Sequence, residues 1–213
     1  MSQFFAIHST HPEARLIKRA VDIVRKGGVI AYPTDSCYAI GCHIGDKHAM
    51  ERMRRIRGVD ERHHFTLMCR DLSDIGIFAK VDNAQYRLLK AYTPGTYTFI
   101  LGATRELPRR LAHPKRATVG VRVPEHPVTR ALLTELDEPL LSSTLMLPGE
   151  GEPLNDAETI RKKLEHQLDL ILDGGACGVE PTTVIDLSGD APILVRRGKG
   201  DIAPFGFSEP TEF

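Results

Sequence analysis

The chain has 213 residues, and its 28 Lys and Arg balance 28 Asp and Glu to a formal net charge of zero. That balance excludes a global field able to gather nucleic acid or an anionic membrane surface, while 41% hydrophobic and 26% charged residues is the ordinary make-up of a globular domain. No apolar run reaches the ~18–20 residues of a membrane-crossing helix, the opening MSQFFAIHST lacks the regions of an export signal, and four cysteines without a CxxC pair or zinc spacing read as reduced thiols, so the expected location is the cytoplasm.

From Glu13 to Lys26, the residues Leu16, Ile17, Ala20, Val21 and Val24 recur at helical spacing, with Pro12 suited to the first turn and Gly27-Gly28 as a stop. VIAY then reads as a buried strand, and PTDSCYAIGC after it is expected to form a loop at the strand's C-terminal edge, where open α/β sheets bind ligands. Asp46 is placed to cap a helix with Met50, Met53 and Ile56 on one side and Arg52 and Arg55 off that stripe. Gly58 ends it, which leaves Arg57 in the following loop.

HFTLMC reads as a strand, and Asp82 caps a helix bearing Tyr86, Leu88 and Leu89 that YTPG closes. TYTFIL and TVGVRV alternate as strands do, with Arg122 on the face opposite Val121 and Val123. A helix over Pro127–Leu136 and a strand at PLLSST follow. Asn155 with Glu158 predicts a capping box opening the helix DAETIRKKLEHQL, and LDLIL, TTVIDL and PILVRRG complete the sheet. The reading is one mixed α/β domain over residues 1–206, with a frayed tail over 207–213.

Charge is unevenly spread along this chain. Residues 52–70 carry six arginines against Asp60 and Glu61, and residues 105–116 carry five bases against Glu106. They form one basic face if folding joins them and two solvated patches if it does not. Arg55 and Arg57 at a helix end suit phosphate, which guanidinium binds bidentately, or they complement the helix dipole. Thr34, Asp35 and Ser36 offer hydroxyls and a carboxylate to a small polar substrate, or make a turn. SSTLMLPG, PTTVIDL and VRRG bring hydroxyls and arginines on strands, though Thr is also a good strand former. Cys37 and Cys42 read as core thiols rather than nucleophiles. His63-His64 is the one adjacent histidine pair, HExxH is absent, and neither a Walker loop nor GxGxxG occurs, so no built-in metal or cofactor is expected.

Taken in order, VIAYPTDSCYAIGC, the arginine-x-arginine at a helix end, TPGTYTFIL, TVGVRVPEHP, PLLSSTLMLPG, PTTVIDL and LVRRGKG resemble the YrdC/YciO family from about residue 8 to residue 204. RIRG, HFTLMCRDLSDI and STLMLPG are most similar to its YciO branch. The resemblance implies a YrdC-like α/β fold, a twisted mixed sheet with flanking helices around a large concave basic surface. It implies binding of double-stranded RNA or tRNA. For the better understood members it implies synthesis of threonylcarbamoyl-adenylate from L-threonine, bicarbonate and Mg²⁺-ATP, which serves modification of adenosine 37 in tRNA.

Carried over by position, Arg55 and Arg57 become the catalytic pair on the phosphates, and Thr34 and Tyr38 line the threonine pocket. Arg122, Thr144, Met146, Thr182 and Arg196 face substrate or nucleotide. The two basic segments then supply Arg52, Arg54, Arg62, Arg109, Arg110, Lys115 and Arg116 to RNA. Three positions depart from the family pattern. Arg55 replaces a lysine, and Cys69 lies near the place of a frequent histidine. Met146 replaces an asparagine, a loss of one preorganised contact that can cost ~10²–10³ in rate. RNA binding is therefore expected ahead of a weakened synthase.

Overall fold

The computed structural model describes residues 1–61 and 63–208, so the RNA contact expected at Arg62 and most of the frayed tail (209–213) lie outside the described residues. Helix α1 (Ala14–Arg25) buries Ile17, Ala20, Val21 and Val24 as its apolar stripe requires. Strand β2 (Ile30–Tyr32) is buried throughout. The stretch expected to be a loop divides in two: 33–38 is irregular, but β3 (Ala39–His43) folds back antiparallel on β2. Its small and apolar residues satisfy a buried strand, and the turn residues are confined to the front half.

Helix α2 (Lys47–Arg57) starts on the Asp46 side chain, which accepts from the Ala49 N–H, and ends at Gly58 in the left-handed region (φ 62°). A Cβ at Gly58 would run into Pro148, so both conformation and space call for glycine there. Arg57 thus closes the helix instead of beginning the loop. Helix α4 (Asn83–Tyr92) carries a reciprocal capping box between Asp82 and Gln85. Helix α5 is Pro127–Leu136. Helix α6 (Ala157–Leu164) is capped by Asp156, which accepts from Thr159, one residue later than expected. Asn155 instead gives its carbonyl to the Cys177 N–H. Two elements carry no clear sequence signal, the edge strand β1 (Gln3–Ala6) and the seven-residue helix α3 (Leu72–Phe78) on its Asp71 cap.

The remaining strands are β4 (Thr66–Met68), β5 (Tyr97–Gly102), β6 (Thr118–Arg122), β7 (Leu140–Thr144), β8 (Leu170–Asp173), β9 (Thr183–Asp186) and β10 (Ile193–Arg196). All ten join in one sheet of order β1-β8-β2-β3-β7-β4-β6-β5-β9-β10. β8 pairs parallel with β1 and β2, β4 with β6 and β5 with β9, and the other pairings are antiparallel. This is the mixed α/β sheet with flanking helices that the sequence implies.

Period-two alternation divides the core. One set of strand residues, including Ala31, Ile40, Leu67, Phe99 and Val121, clusters with Met53 and Ile56 of α2, Ile75 of α3, Leu89 of α4 and Ile160 of α6. The other set, including Ile30, Tyr32, Leu140 and Leu172, clusters with Val21 and Val24 of α1 and Leu132 and Leu136 of α5. Beyond Leu140 and Met68 that second face changes character. Its next residues are Ser142, Thr66, Gly120, Thr98, Thr118 and Arg122, which offer no apolar stripe for a helix to cover, and there the sheet stays open. Among the described residues no helix is long and apolar enough to cross a membrane.

Candidate functional site

The uncovered face is the floor of a cavity whose empty space, measured to its open mouth, is ≈ 1130 Å³. Register builds it. Met68 lies opposite Arg122, Thr98 opposite Val184, and Val184 opposite Arg196, so one rung of the sheet carries both Arg122 and Arg196 onto this face. The next rung holds Ser142, Thr66, Gly120 and Ile100. Arg57 enters from the last turn of α2. Its Nε donates to Ser143 Oγ at 3.2 Å, and its Nη1 donates to the Met146 carbonyl. Arg196 donates from Nε and Nη2 to the Thr182 carbonyl, at 3.2 and 2.8 Å. His63, His64, His113 and Arg116 stand with these arginines around the cavity, and among the described residues no Asp or Glu lines it.

Loop 33–38 forms one wall. Thr34 Oγ1 donates to the Cys37 carbonyl at 2.6 Å and accepts from the Ser36 N–H at 3.2 Å. Behind it, Arg122 Nη2 pairs with the Asp35 carboxylate, with only 8% and 12% of the two side chains exposed. Arg122 Nε and Asp35 Oδ2 are buried without a partner, so one donor and one acceptor stay open beside the cavity. Lys199 Nζ reaches the Asp35 carbonyl at 2.7 Å. Tyr38 donates its hydroxyl proton to the Gly175 carbonyl at 2.9 Å, and burial raises its pKa.

The field inside is positive. Burial lowers the Arg57 pKa and the nearby Arg196 lowers it further. Arg196 is an exposed residue of the edge strand, yet desolvation of its guanidinium lowers its pKa, while Cys37 raises it and Arg122 lowers it. His63 falls to about 4, through burial and then the charge of Arg57. These cations press on one another with little carboxylate to relieve them, an arrangement that an anion would stabilise. Burial raises the Cys37 pKa and carries Cys42 to about 12 and Cys177 to about 11, which favours the thiol over the thiolate at each. Among the described residues no group of three or more His, Cys, Asp or Glu is placed to hold a metal.

Most of the expected ligand residues meet here. Tyr38, Arg57, Arg122, Thr144, Met146, Thr182 and Arg196 all line the cavity, and Thr34 lies just behind its wall, 3% exposed. Arg55 does not join them. It is exposed, because residues two apart on a continuous helix point ~200° apart. Among the expected RNA contacts, Arg52 is taken by Asp169 at 2.8 Å and Arg54 by Glu51 at 2.6 Å. Arg110 donates to the Gly45 and Ile44 carbonyls, while Arg109 and Lys115 are exposed. Arg116 lines the cavity, paired with Asp186 at 3.2 Å. The two basic segments do meet, through the His64 and His113 rings at 4.6 Å. Sequence reasoning missed Ser143, Thr98, Lys199 and the histidines as site residues. His63-His64 was visible as a pair, but no spacing linked it to His113.

Because the folded pKa of His63, about 4, lies below its ordinary 6.5, its contribution to stability is fully present above pH 6.5 and is lost as pH falls towards 4. Melting temperature should therefore fall more steeply over that window in the wild type than in His63→Asn. Saturating pyrophosphate, by raising the folded pKa, should flatten the wild-type curve. The Asp35→Asn variant, which leaves Arg122 buried without its counter-ion, should lose about 3–5 kcal/mol in chemical denaturation and recover part of it with pyrophosphate.

Comparison with known proteins agrees with this architecture. The chain matches the Sua5/YciO/YrdC family model, which carries the description "Telomere recombination", over residues 22–198. The uncharacterized protein YciO of Escherichia coli is 58% identical over 205 residues, 96% of this chain and 100% of that protein. The crystal structure of E. coli YciO matches with a TM-score of 0.93 over the same shares of the two chains. The threonylcarbamoyl-AMP synthase of Chromobacterium violaceum is 32% identical over 177 residues, 83% of this chain and 91% of that protein. The fold is also that of Pyrococcus abyssi Sua5 complexed with L-threonine, 24% identical with a TM-score of 0.85 over 92% of this chain and 58% of that one. Sequence, fold and motif order thus converge, and the chain belongs to the Sua5/YciO/YrdC family.

Proposed function

We propose that the cavity binds Mg²⁺-ATP together with the carbamate of a small amino acid and transfers the adenylyl group, the reaction type for which the 32%-identical threonylcarbamoyl-AMP synthase is named. The observation that carries this reading is the convergence of Arg57, Arg122 and Arg196, with many hydroxyls and, among the described residues, no lining carboxylate, in one cavity. The carbamate forms from the substrate amine and bicarbonate with loss of water. One of its oxygens then attacks the α-phosphorus; a new O–P bond forms, the bond from the α-phosphorus to the β-bridging oxygen breaks, and pyrophosphate leaves. Magnesium travels with ATP as part of the substrate. No protein nucleophile is required, which fits a site where burial favours thiol over thiolate. The chain's own task is to neutralise and orient, with Arg57 and Arg196 on phosphate oxygens and Arg122 Nε and Asp35 Oδ2 available to the smaller substrate.

An RNA-binding role is the second reading, favoured by the exposed Arg109, Lys115 and Arg116 that share one segment beside the cavity. It ranks behind the first because Arg52, Arg54 and Arg110 are engaged by carboxylates or backbone carbonyls.

Incubation with threonine, bicarbonate and Mg²⁺-ATP should release pyrophosphate in a threonine-dependent manner, and Arg57→Ala should lower that rate by ~10²–10³. Absence of threonine-dependent release would remove the synthase reading. For RNA, a gel-shift series with duplex RNA should weaken steeply with salt, and the double variant Arg109→Ala, Lys115→Ala should flatten the log–log slope by about 2. No shift even at low salt would exclude it.

A further inference from the structure

The sheet opens a second crevice, apart from the large cavity. β4 and β6 are parallel neighbours, and the Cys69 N–H extends their ladder to the Arg122 carbonyl at 2.8 Å. The helices that follow these two strands leave for opposite faces. α3 sends Ile75 into the cluster that holds α2 and α4, whereas α5 sends Leu132 and Leu136 into the cluster that holds α1. Diverging connections of this kind leave a gap at the carboxyl ends of parallel strands, where open α/β sheets receive ligands. Here the gap encloses ≈ 460 Å³ of empty space, measured to its open mouth. Arg70 and Asp71 reach it from the end of β4, Val123 from the end of β6, Lys90 from α4 and Arg130 from α5. Arg122 lines the large cavity and Val123 this gap, and no described residue lines both.

Four charged side chains line the gap, and they are not equally free. Arg70 is saturated: Nε and Nη2 donate to the Asp74 carboxylate at 3.0 and 2.7 Å, and Nη1 donates to Asp137. Asp71 caps α3, its Oδ1 accepting from the Ser73 and Asp74 N–H groups at 2.8 and 3.2 Å, and among the described residues its Oδ2 has no partner. The ammonium of Lys90 and the guanidinium of Arg130 likewise have none. Two uncommitted cations from separate helices therefore share a concavity with one uncommitted carboxylate oxygen. The walls are tied to the sheet: the Gly95 N–H donates to the Val123 carbonyl at 2.9 Å, and the Thr93 hydroxyl donates to the Leu89 carbonyl at 2.7 Å.

We propose that this crevice is a second anion site, built for a phosphate group that still carries a proton. Lys90 and Arg130 take its charged oxygens, the guanidinium as a fork and the ammonium as a point charge. Asp71 Oδ2 accepts from the P–OH group, a contact that a fully deprotonated oxyanion cannot make. The site is independent of the adenylyl-transfer reading, because it shares no residue with the large cavity.

Titration of the full ¹⁵N-labelled chain with inorganic phosphate at constant ionic strength tests the proposal. The Leu72, Val123 and Arg130 amides should shift along one saturating curve, and Arg57→Ala, a change confined to the large cavity, should leave that curve in place. Lys90→Ala and Arg130→Ala, both at exposed positions, should keep the wild-type melting temperature and each weaken the curve roughly tenfold. Sulfate, with no proton to offer Asp71, should bind more weakly than phosphate in the wild type and equally in Asp71→Asn. Absence of shifts at these amides, shifts that vanish with Arg57→Ala, or shifts that survive the double variant Lys90→Ala, Arg130→Ala would overturn the site. Equal affinity of the wild type for sulfate and phosphate would overturn its preference for a protonated ligand.

Discussion

A β-sheet face must be covered if it is apolar and can stay open only if it is not. In this chain the switch occurs within single strands. β7 passes from Leu140, packed under α5, to Ser142 on the open floor, and β6 ends in Arg122 on the face opposite Val121. The helices α1 and α5 therefore cover one end of this face and stop where the side chains become hydroxyls, glycine and arginine. The cavity is the part of the sheet that the sequence does not allow a helix to bury, and the cations it needs are delivered there by register.

Burial then sets the price of those cations. Taking Arg122 out of water is tolerable because Asp35 accompanies it, whereas among the described residues Arg57 and Arg196 have neutral acceptors, and Arg196 depresses the proton affinity of Arg57 as Arg122 does that of Arg196. The result is a cation-lined hollow in a molecule with no net charge. Its charge comes from local convergence, and the overall balance of acids and bases says nothing about it.

Much of this was legible in the chain. Alternation in TVGVRV fixed which way Arg122 faces, the capping residues Asp46 and Asp82 began the helices they were expected to begin, and the order of the motifs matched a known fold. What escaped were features that depend on one residue of phase or on distant partners. Ending α2 at Arg57 instead of before it turns Arg55 outward, so that of this pair Arg57 lines the cavity and Arg55 does not. The pairing of Arg52 with Asp169 and of Arg116 with Asp186 joins segments far apart in sequence, and no local pattern announces it. Helix α3 and strand β1 are too short for periodicity to reveal.

Arg196 has an unusual address. It sits on β10, the outermost strand, which is hydrogen-bonded to the rest of the sheet along one side only, while Arg122 sits near the centre. Edge strands open more readily than central ones. An anion gripped by both arginines would therefore staple the sheet's margin to its middle, so that occupancy of the hollow and order of the final hairpin rise and fall together.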